Sequence, residues 1–393
     1  MIKYELPHSW MNYSLLKITS ELVEAKAVIL SLQNTPYERG WIENLLEMEL
    51  KREVAGTSRI EGADFTEEEF EDAVQESGDE LITRSQRQAR AAMRTYRWIA
   101  TIPNDRPVDK NLICEIHSMI VRDADDDHCC PGVLRKQDEN VTFGQPRHRG
   151  ADGGVECEEA FSGLVNSIQT TFREHDPLIQ ALAVHYHLAA MHPFLDGNGR
   201  TARALEALFM QRAGLRDFCF IAMSNYYYDE KQSYLSALAN VRSSAHDLTS
   251  FLKFGLKGIA VQSRRVLLGI RQEVSKALYR NMMYSLFNRL ESPKKRVIAK
   301  RQLEILEVLL KHSKVDFSNL THAVLGNYLN LKEPMKAIFR DLEGLLSLGA
   351  VQYERKEDNE FVFSVRIDWP TEITETKFFD LIKKMPRAKT LRF

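Results

Sequence analysis

His192-Pro193-Phe194-Leu195-Asp196-Gly197-Asn198-Gly199-Arg200-Thr201-Ala202-Arg203 is the stretch that decides how this chain is read. Gly197-Asn198-Gly199 stands just before a helical pattern. Such a turn can point successive backbone N–H groups at one spot, and a helix N-terminus adds partial positive charge there. The result is an anion cradle. Arg200 and Arg203 lie three apart at the helix start, near each other on its surface. Two guanidinium groups beside an anion cradle suit a polyphosphate, which they can hold bidentately. Asp196 offers a hard oxygen to Mg²⁺, which commonly takes one or two carboxylates plus substrate phosphates. His192, with an ordinary pKa near neutrality, suits a general base. Alone, each piece reads more readily as a plain turn, a solvated arginine or a helix end. Together in this order they read as base, metal ligand and phosphate binder within twelve residues.

Outward from this run the pattern is mostly helical. Asp176 can N-cap a helix with Pro177 at its first position. Leu178, Leu182, His185, Ala189 and His192 then form one stripe, which Pro193 stops. A second helix is expected from about Arg200 to Arg212, with Gly214 past its end. His185 lies two turns before His192, roughly 10 Å away along a helix, so it reads as a core or supporting residue. His187 lies off the stripe and receives no role. Further upstream, Trp41, Leu45 and Met48 mark an amphipathic stretch that Gly56 interrupts. Another runs from about Ser85 through Trp98, and Pro103 ends it. From Asp123 to Gly154 the chain is rich in Asp, Gly and Pro, which predicts a long surface loop with a small hairpin at Val141-Thr142-Phe143.

At 393 residues the chain suits two or three domains. Its net charge of −2 provides no global attraction to nucleic acid or anionic membrane. No apolar run approaches the ~20 residues that span a bilayer. The start resembles no secretory leader. Five cysteines, Cys114, Cys129, Cys130, Cys157 and Cys219, favour a reducing compartment over a disulfide scaffold, with the cytoplasm as the expectation. His128-Cys129-Cys130 with the distant Cys157 lacks zinc-type spacing and reads as a loop. Beyond about Lys253 a helical stretch leads to a basic joint at Pro293-Lys294-Lys295-Arg296. Helical patterns near Arg301–Lys311 and Pro334–Leu348 follow. Strand-like runs at Val351–Arg355 and Phe361–Ile367 flank a Glu357-Asp358-Asn359 turn. This is the order of a winged helix-turn-helix.

The His192–Arg203 run resembles, position by position, the Fic family signature HxFx(D/E)GNGRxxR. The resemblance extends over roughly Thr57 to Gly258, including Tyr234-Leu235, Leu238, Val241-Arg242 and Phe251–Leu256. It implies a mainly α fold, with a helical core, a short β-hairpin flap and a C-terminal winged helix-like domain. The corresponding division is 1–105 for an N-terminal helical region, 106–262 for the core, 263–300 for a linking helix and 301–393 for the winged helix-like part.

The same resemblance implies roles. His192 matches the residue that deprotonates an incoming Ser, Thr or Tyr hydroxyl, and Asp196 matches the Mg²⁺ ligand. Gly197, Asn198 and Gly199 match the hole for the α- and β-phosphates of ATP. Arg200 and Arg203 match phosphate-binding arginines, with Arg203 toward the γ-phosphate, and Phe194 matches an apolar anchor. The implied reaction is AMP transfer from ATP to a target protein with an exposed hydroxyl. Thr57-Ser58-Arg59-Ile60-Glu61-Gly62 resembles the family's inhibitory pattern [S/T]xxxE[G/N]. There Glu61 would pair with Arg203, and Thr57 would steady the inhibitory helix. Val141, Thr142 and Phe143 resemble the flap edge on which a target peptide adds as a strand. Tyr234 is placed against the adenine, with a core tyrosine as the alternative.

Two other readings stay open at this level. One is removal of AMP, or transfer of another phosphate-containing group. The other is a DNA-binding regulator acting through Pro334–Leu348. From Lys294 onward 19 Lys/Arg stand against 14 Asp/Glu. That bias is modest, and Asp341 and Glu343 sit beside Lys336 and Arg340. Protein docking or pairing with a second copy of the chain is therefore preferred to DNA.

Overall fold

The computed structural model describes residues 2–75, 83–125, 129–144, 146–215, 220–356 and 360–384. The chain divides into two compact units, Met1–Ile270 and Arg271–Phe393. The division falls inside the expected linking helix, and residues 1–105 share one unit with the core. Among the described residues no helix is long and apolar enough to cross a membrane.

In the first unit, β1 (Ile2–Lys3) precedes α1 (Leu15–Gln33), α2 (Arg39–Ile60), α3 (Glu67–Val74), α4 (Arg84–Thr101) and α5 (Lys110–Val121). The hairpin β2 (Thr142–Phe143) and β3 (His148–Arg149) follows, then α6 (Val155–Gln169), α7 (Pro177–Met191), α8 (Asn198–Met210), α9 (Met223–Asp229) and α10 (Lys231–Ser243). Helix α11 (Thr249–Asn288) carries the chain into the second unit. Helix starts follow local chemistry. Thr66 with Glu69, and Thr83 with Gln86, form reciprocal capping boxes that satisfy two exposed N–H groups each. Asp109 and Asp176 cap α5 and α7, with Pro177 at the first position of α7 as expected.

Helix α2 corrects the sequence reading twice. It runs unbroken through Gly56, and its inward face carries Ile42, Leu46, Leu50 and Val54, while Met48 is exposed. Gly56 is there for space. A Cβ at this position would collide with the backbone of Ser224 and Asn225 in α9. Backbone contact between two helices requires such a residue, and the sequence pattern alone reads it as a break.

The small sheet has the order β1-β3-β2, with β1 parallel and β2 antiparallel to β3. Phe143 pairs with His148 and Thr142 with Arg149, so β2 forms an edge. Val141 lies just outside the strand, its carbonyl accepting from Gly150 N–H. The stripe on α7 widens into a cylinder. Every residue from Ala181 to Met191 is buried, because neighbouring helices surround α7 on all sides.

The second unit holds α12 (Pro293–His312), β4 (Val315–Asp316), α13 (Phe317–Val324), α14 (Pro334–Ser347), β5 (Val351–Arg355), β6 (Phe361–Val365), α15 (Trp369–Glu372) and α16 (Glu375–Lys384). Its sheet is antiparallel, in the order β4-β6-β5. Ile305, Leu309, Leu320, Ile338, Leu342 and Phe363 form its core. Pro293 starts α12, so the expected basic joint is a first helical turn, where Pro is tolerated. The expected Glu357-Asp358-Asn359 turn lies outside the described residues.

Candidate functional site

The site is the junction of α7 and α8. Helix α7 ends at Met191, and His192 caps it in the left-handed conformation, φ 49°. The loop returns at Gly197, φ 73°, and α8 starts at Asn198, two residues earlier than expected. Gly197 needs both its freedom and its size, since a Cβ would press on Val121. Asn198 closes the loop by itself. Its Oδ1 accepts from Phe194 N–H at 2.9 Å and its Nδ2 donates to Phe194 carbonyl at 2.8 Å. Its side chain is therefore spent on structure, and only its backbone can serve the cradle. Phe194 is fully buried, stacked on His117 at 3.7 Å between centroids, an anchor as the resemblance implied. His117 accepts Gly132 N–H on Nδ1, so Nε2 carries the proton and donates to Asp196 carbonyl at 3.0 Å. Burial pushes its pKa down to about 4, which keeps this strut neutral.

His192 Nδ1 lies 2.5 Å from Ala189 carbonyl, an acceptor only, so Nδ1 carries the proton and Nε2 keeps its lone pair. Burial pushes the imidazole down to about 4. At neutral pH it is thus a free base with its tautomer fixed. Phe143 from β2 stacks on the imidazole, centroids 3.6 Å apart. Arg135 secures the arrangement from the flap side. This buried guanidinium donates from Nε to His192 carbonyl at 2.7 Å and to the carbonyls of Met191, Glu139 and Ala151.

Arg200 and Arg203 lie in the first turns of α8 and are 3 % and 2 % exposed, so both are buried rather than solvated. Arg200 donates to the fully buried Asp125, which also accepts from Arg84 and Gln88. Burial would raise the Asp125 carboxyl, but Arg200 and its other donors hold it below the usual range. Asp196 keeps a part-exposed carboxylate, accepting Gly197 N–H on Oδ1 at 2.6 Å and Arg84 on Oδ2 at 3.0 Å. Oδ1 also accepts from Arg200 at 3.4 Å, while Oδ2 retains a second lone pair, so a hard cation taking its remaining ligands from phosphates fits this position.

Arg203 reaches the Thr57–Gly62 segment. Its Nε donates to Thr57 Oγ1 at 2.8 Å, and its Nη2 donates to Thr57 carbonyl at 3.2 Å and Glu61 Oε1 at 2.6 Å. Thr57 therefore fastens α2 to the arginine itself. Gly62, φ 92°, ends α2, with Ala63 N–H returning to Ser58 carbonyl. That leaves Glu61 on the helix cap, aimed at α8. A carboxylate is unwelcome at a helix C-terminus and favoured at an N-terminus. Glu61 has exchanged one for the other: its Oε1 lies so close over Gly199 that a Cβ there would collide with it. Burial would raise the Glu61 carboxyl, but the guanidiniums of Arg203 and Arg200 hold it below its usual range.

Tyr234 sits in the core behind Arg203. It is 3 % exposed and stacked on Tyr227 at 4.7 Å, its hydroxyl 3.0 Å from His185 Nε2. The structure thus favours the core alternative over an adenine face. His185 also meets the buried Glu206, which accepts from Tyr227, and His187 meets Trp10 carbonyl at 2.7 Å. Cys129 and Cys157 are buried free thiols beside the 193–196 loop, while His128 and Cys219 lie outside the described residues. Sequence reasoning missed Arg84, Gln88, His117, Asp125, Arg135 and Glu206.

Residues 107–210 match the Fic/DOC family. A 39-residue segment is 56 % identical to protein adenylyltransferase fic-1 of Caenorhabditis elegans, covering 10 % of this chain and 8 % of that protein. A 54-residue segment is 46 % identical to protein adenylyltransferase Fic of Culex quinquefasciatus, covering 14 % and 10 %. The matched segments thus span about a tenth of these relatives. Among solved structures, a Fic family protein from Desulfovibrio desulfuricans G20 superposes with a TM-score of 0.58 at 17 % identity, covering 92 % of this chain and 98 % of that one. Fic-1 from C. elegans gives 0.52 at 20 % identity, covering 63 % and 71 %. At these identities the likeness concerns the fold.

Proposed function

The chain belongs to the Fic/DOC family through residues 107–210, and from that premise we propose that it transfers AMP from ATP to a protein hydroxyl under the restraint of Glu61. The observation that carries this reading is the Glu61 carboxylate over Gly199, 2.6 Å from Arg203. The cradle holds an anion supplied by the chain itself, at the place a terminal phosphate of the nucleotide would take.

In this reading His192 Nε2 takes the proton of a Ser, Thr or Tyr hydroxyl. The hydroxyl oxygen bonds to the α-phosphorus as the bond to the β-phosphate oxygen breaks, and pyrophosphate leaves. The backbone N–H groups at the start of α8 face the phosphates, and Arg200, fixed by Asp125, adds charge without needing to reorganise. Arg203 serves the γ-phosphate once Glu61 withdraws. Asp196 would hold Mg²⁺, which when bound neutralises phosphate charge. Positioning and electrostatic stabilisation do most of the work in such transfers. The test is Glu61→Gly protein incubated with ATP and cell lysate, followed by mass spectrometry. AMP adducts on Ser, Thr or Tyr are expected. Their absence, with ATP demonstrably bound, would remove the assignment.

For the second unit we propose a winged helix used for docking protein, either a target or a second copy of the chain. The order of helices and strands supports the first half. The state of α14 supports the second: Asp341 is buried and holds Arg301 at 2.7 Å, while Arg340 and Lys336 pair with Asp341 and Glu333. A helix whose cations are spent on its own acids is poorly equipped to pay for phosphate contacts. Salt-dependent binding of duplex DNA by the full chain, with affinity falling steeply as salt rises, would overturn this preference.

A further inference from the structure

Beside the flap lies a pocket of about 440 Å³ in the first unit, lined among others by Lys3, Glu5, His148, Arg149, Arg242 and His246. Most of these groups are committed. Lys3 pairs with Asp152 and Glu156, and Arg149 with Asp152. His246 spends one ring nitrogen on Tyr186 hydroxyl and the other on Glu5 carbonyl, both at 2.8 Å. Two groups are not. His148 is fully buried, and neither ring nitrogen has a partner. Arg242 Nε is likewise buried without a partner, and among the described residues Arg242 forms no ion pair. Its guanidinium lies over the Phe143 ring, 5.0 Å from the centroid. His192 stacks on the same ring at 3.6 Å and fills one face, so Arg242 takes the other. A buried imidazole and an unpaired guanidinium facing one cavity are donors awaiting an acceptor.

We propose that Arg242 and His148 form a subsite for an acidic side chain of the acceptor protein, two residues away from the hydroxyl presented to His192. This rests on the role of His192 given above. The position follows from strand geometry. A peptide added to the free edge of β2 alternates its side chains, so residues i and i+2 share a face about 7 Å apart. The Phe143 side chain marks the face that meets His192. A hydroxyl delivered there to His192 puts its second neighbour on the same face, past the Phe143 ring, whose other face the Arg242 guanidinium covers; from Arg242 the pocket runs inward along residues of β3 and β1. A carboxylate then receives a bidentate guanidinium and an imidazole N–H, all of them otherwise unspent.

The experiment has a transfer arm and a binding arm. For transfer, Glu61→Gly protein and its Arg242→Gln and Arg242→Lys derivatives are given ATP and synthetic peptides with one hydroxyl residue. Asp or Asn is placed at each position from three before the hydroxyl to three after. Asp two residues away should raise kcat/KM about tenfold over Asn, the scale of one charge-assisted contact. Arg242→Gln should erase that difference, read as the ratio of the Asp to the Asn peptide within each variant, and Arg242→Lys should retain part of it. A scan with no maximum two residues away, or an equal loss on both peptides, would overturn the subsite.

For binding, the ¹⁵N resonances of the His148 ring are followed while the Asp peptide, the Asn peptide or inorganic phosphate is added. A saturable shift with the Asp peptide alone, lost in Arg242→Gln, is expected. A shift with phosphate but none with the Asp peptide would overturn the proposal. If no peptide is modified yet the Asp peptide still binds at His148, the transfer reading falls and the subsite stands.

Discussion

Replacing Glu61 by glycine removes the carboxylate that sits over Gly199 at the start of α8. The cost of displacing it in the wild type can be worked from its contacts. Glu61 makes a single charge-assisted bond to Arg203 at 2.6 Å, and its side chain is 37 % exposed. Such a bond is worth about 1.5–3 kcal/mol when shielded. Solvent screening at this exposure brings it to about 1–2 kcal/mol. ATP binding in its productive pose should therefore improve by roughly 5- to 30-fold in Glu61→Gly, and auto-modification measured as kcat/KM should rise by the same factor. Glycine is well tolerated at a helix cap, so the fold should survive. Adding Arg203→Ala should cancel the gain, because the freed space then lacks its guanidinium. The two changes should be strongly non-additive, since they share one interaction. Thr57→Ala should give a smaller rise: it removes one of the three bonds that tie Arg203 to α2 and leaves the charge in place. The assay is incorporation of labelled AMP, with thermal melts to confirm folding. Equal kcat/KM for wild type and Glu61→Gly, or a gain that persists with Arg203→Ala, would refute the competition for Arg203.

The imidazole of His192 is held down to about 4 by burial, so its base form persists across pH 5–8. The kcat/KM of Glu61→Gly should stay flat there and fall only as pH drops toward 4; a limb near 6.5 in the pH–rate profile would contradict the buried base. Removing Glu61 takes away a charge that raises this pKa, so the limb should not move upward in that variant. Asp196→Ala should leave a very low rate that no longer responds to Mg²⁺, and an unaltered Mg²⁺ titration would take Asp196 out of metal binding. Gly56→Ala should destabilise the first unit by about 1–3 kcal/mol, since its Cβ meets backbone that side-chain rotation cannot relieve; an unchanged denaturant midpoint would refute the close contact of α2 with α9.

What the sequence made legible is what lies close together along the chain. The turn from His192 to Gly199, the caps at Asp176 and Pro177, and the two strands at Val351 and Phe361 all rest on local spacing, and they are found there. Glu61 was reachable because its neighbours form a short pattern of their own. What stayed hidden depends on partners far apart in sequence. Asp125 sits in an acidic run, Asp123 to Asp127, and nothing local marks it as the residue that meets Arg200 some 75 positions later. His117 lies on an apolar helix face like any core histidine. Arg135 looks like a loop arginine, yet it is 2 % exposed and bonded to four carbonyls. Gly56 looked like a break because helix-to-helix approach has no sequence period. The burial of Arg200 and Arg203 is not legible either, since a charged residue signals burial only through its partner.

The central claim, that His192 directs AMP from ATP onto a hydroxyl, is tested most directly by paired labelling of the Glu61→Gly protein. One reaction uses ATP labelled at the α-phosphorus, and the other uses ATP labelled at the γ-phosphorus. Label on protein is expected from the α position only, with release of pyrophosphate in equal amount, and both should be lost in Glu61→Gly with His192→Ala while ATP still binds. Label from the γ position, or α-label that survives the loss of His192 at an undiminished rate, would contradict it.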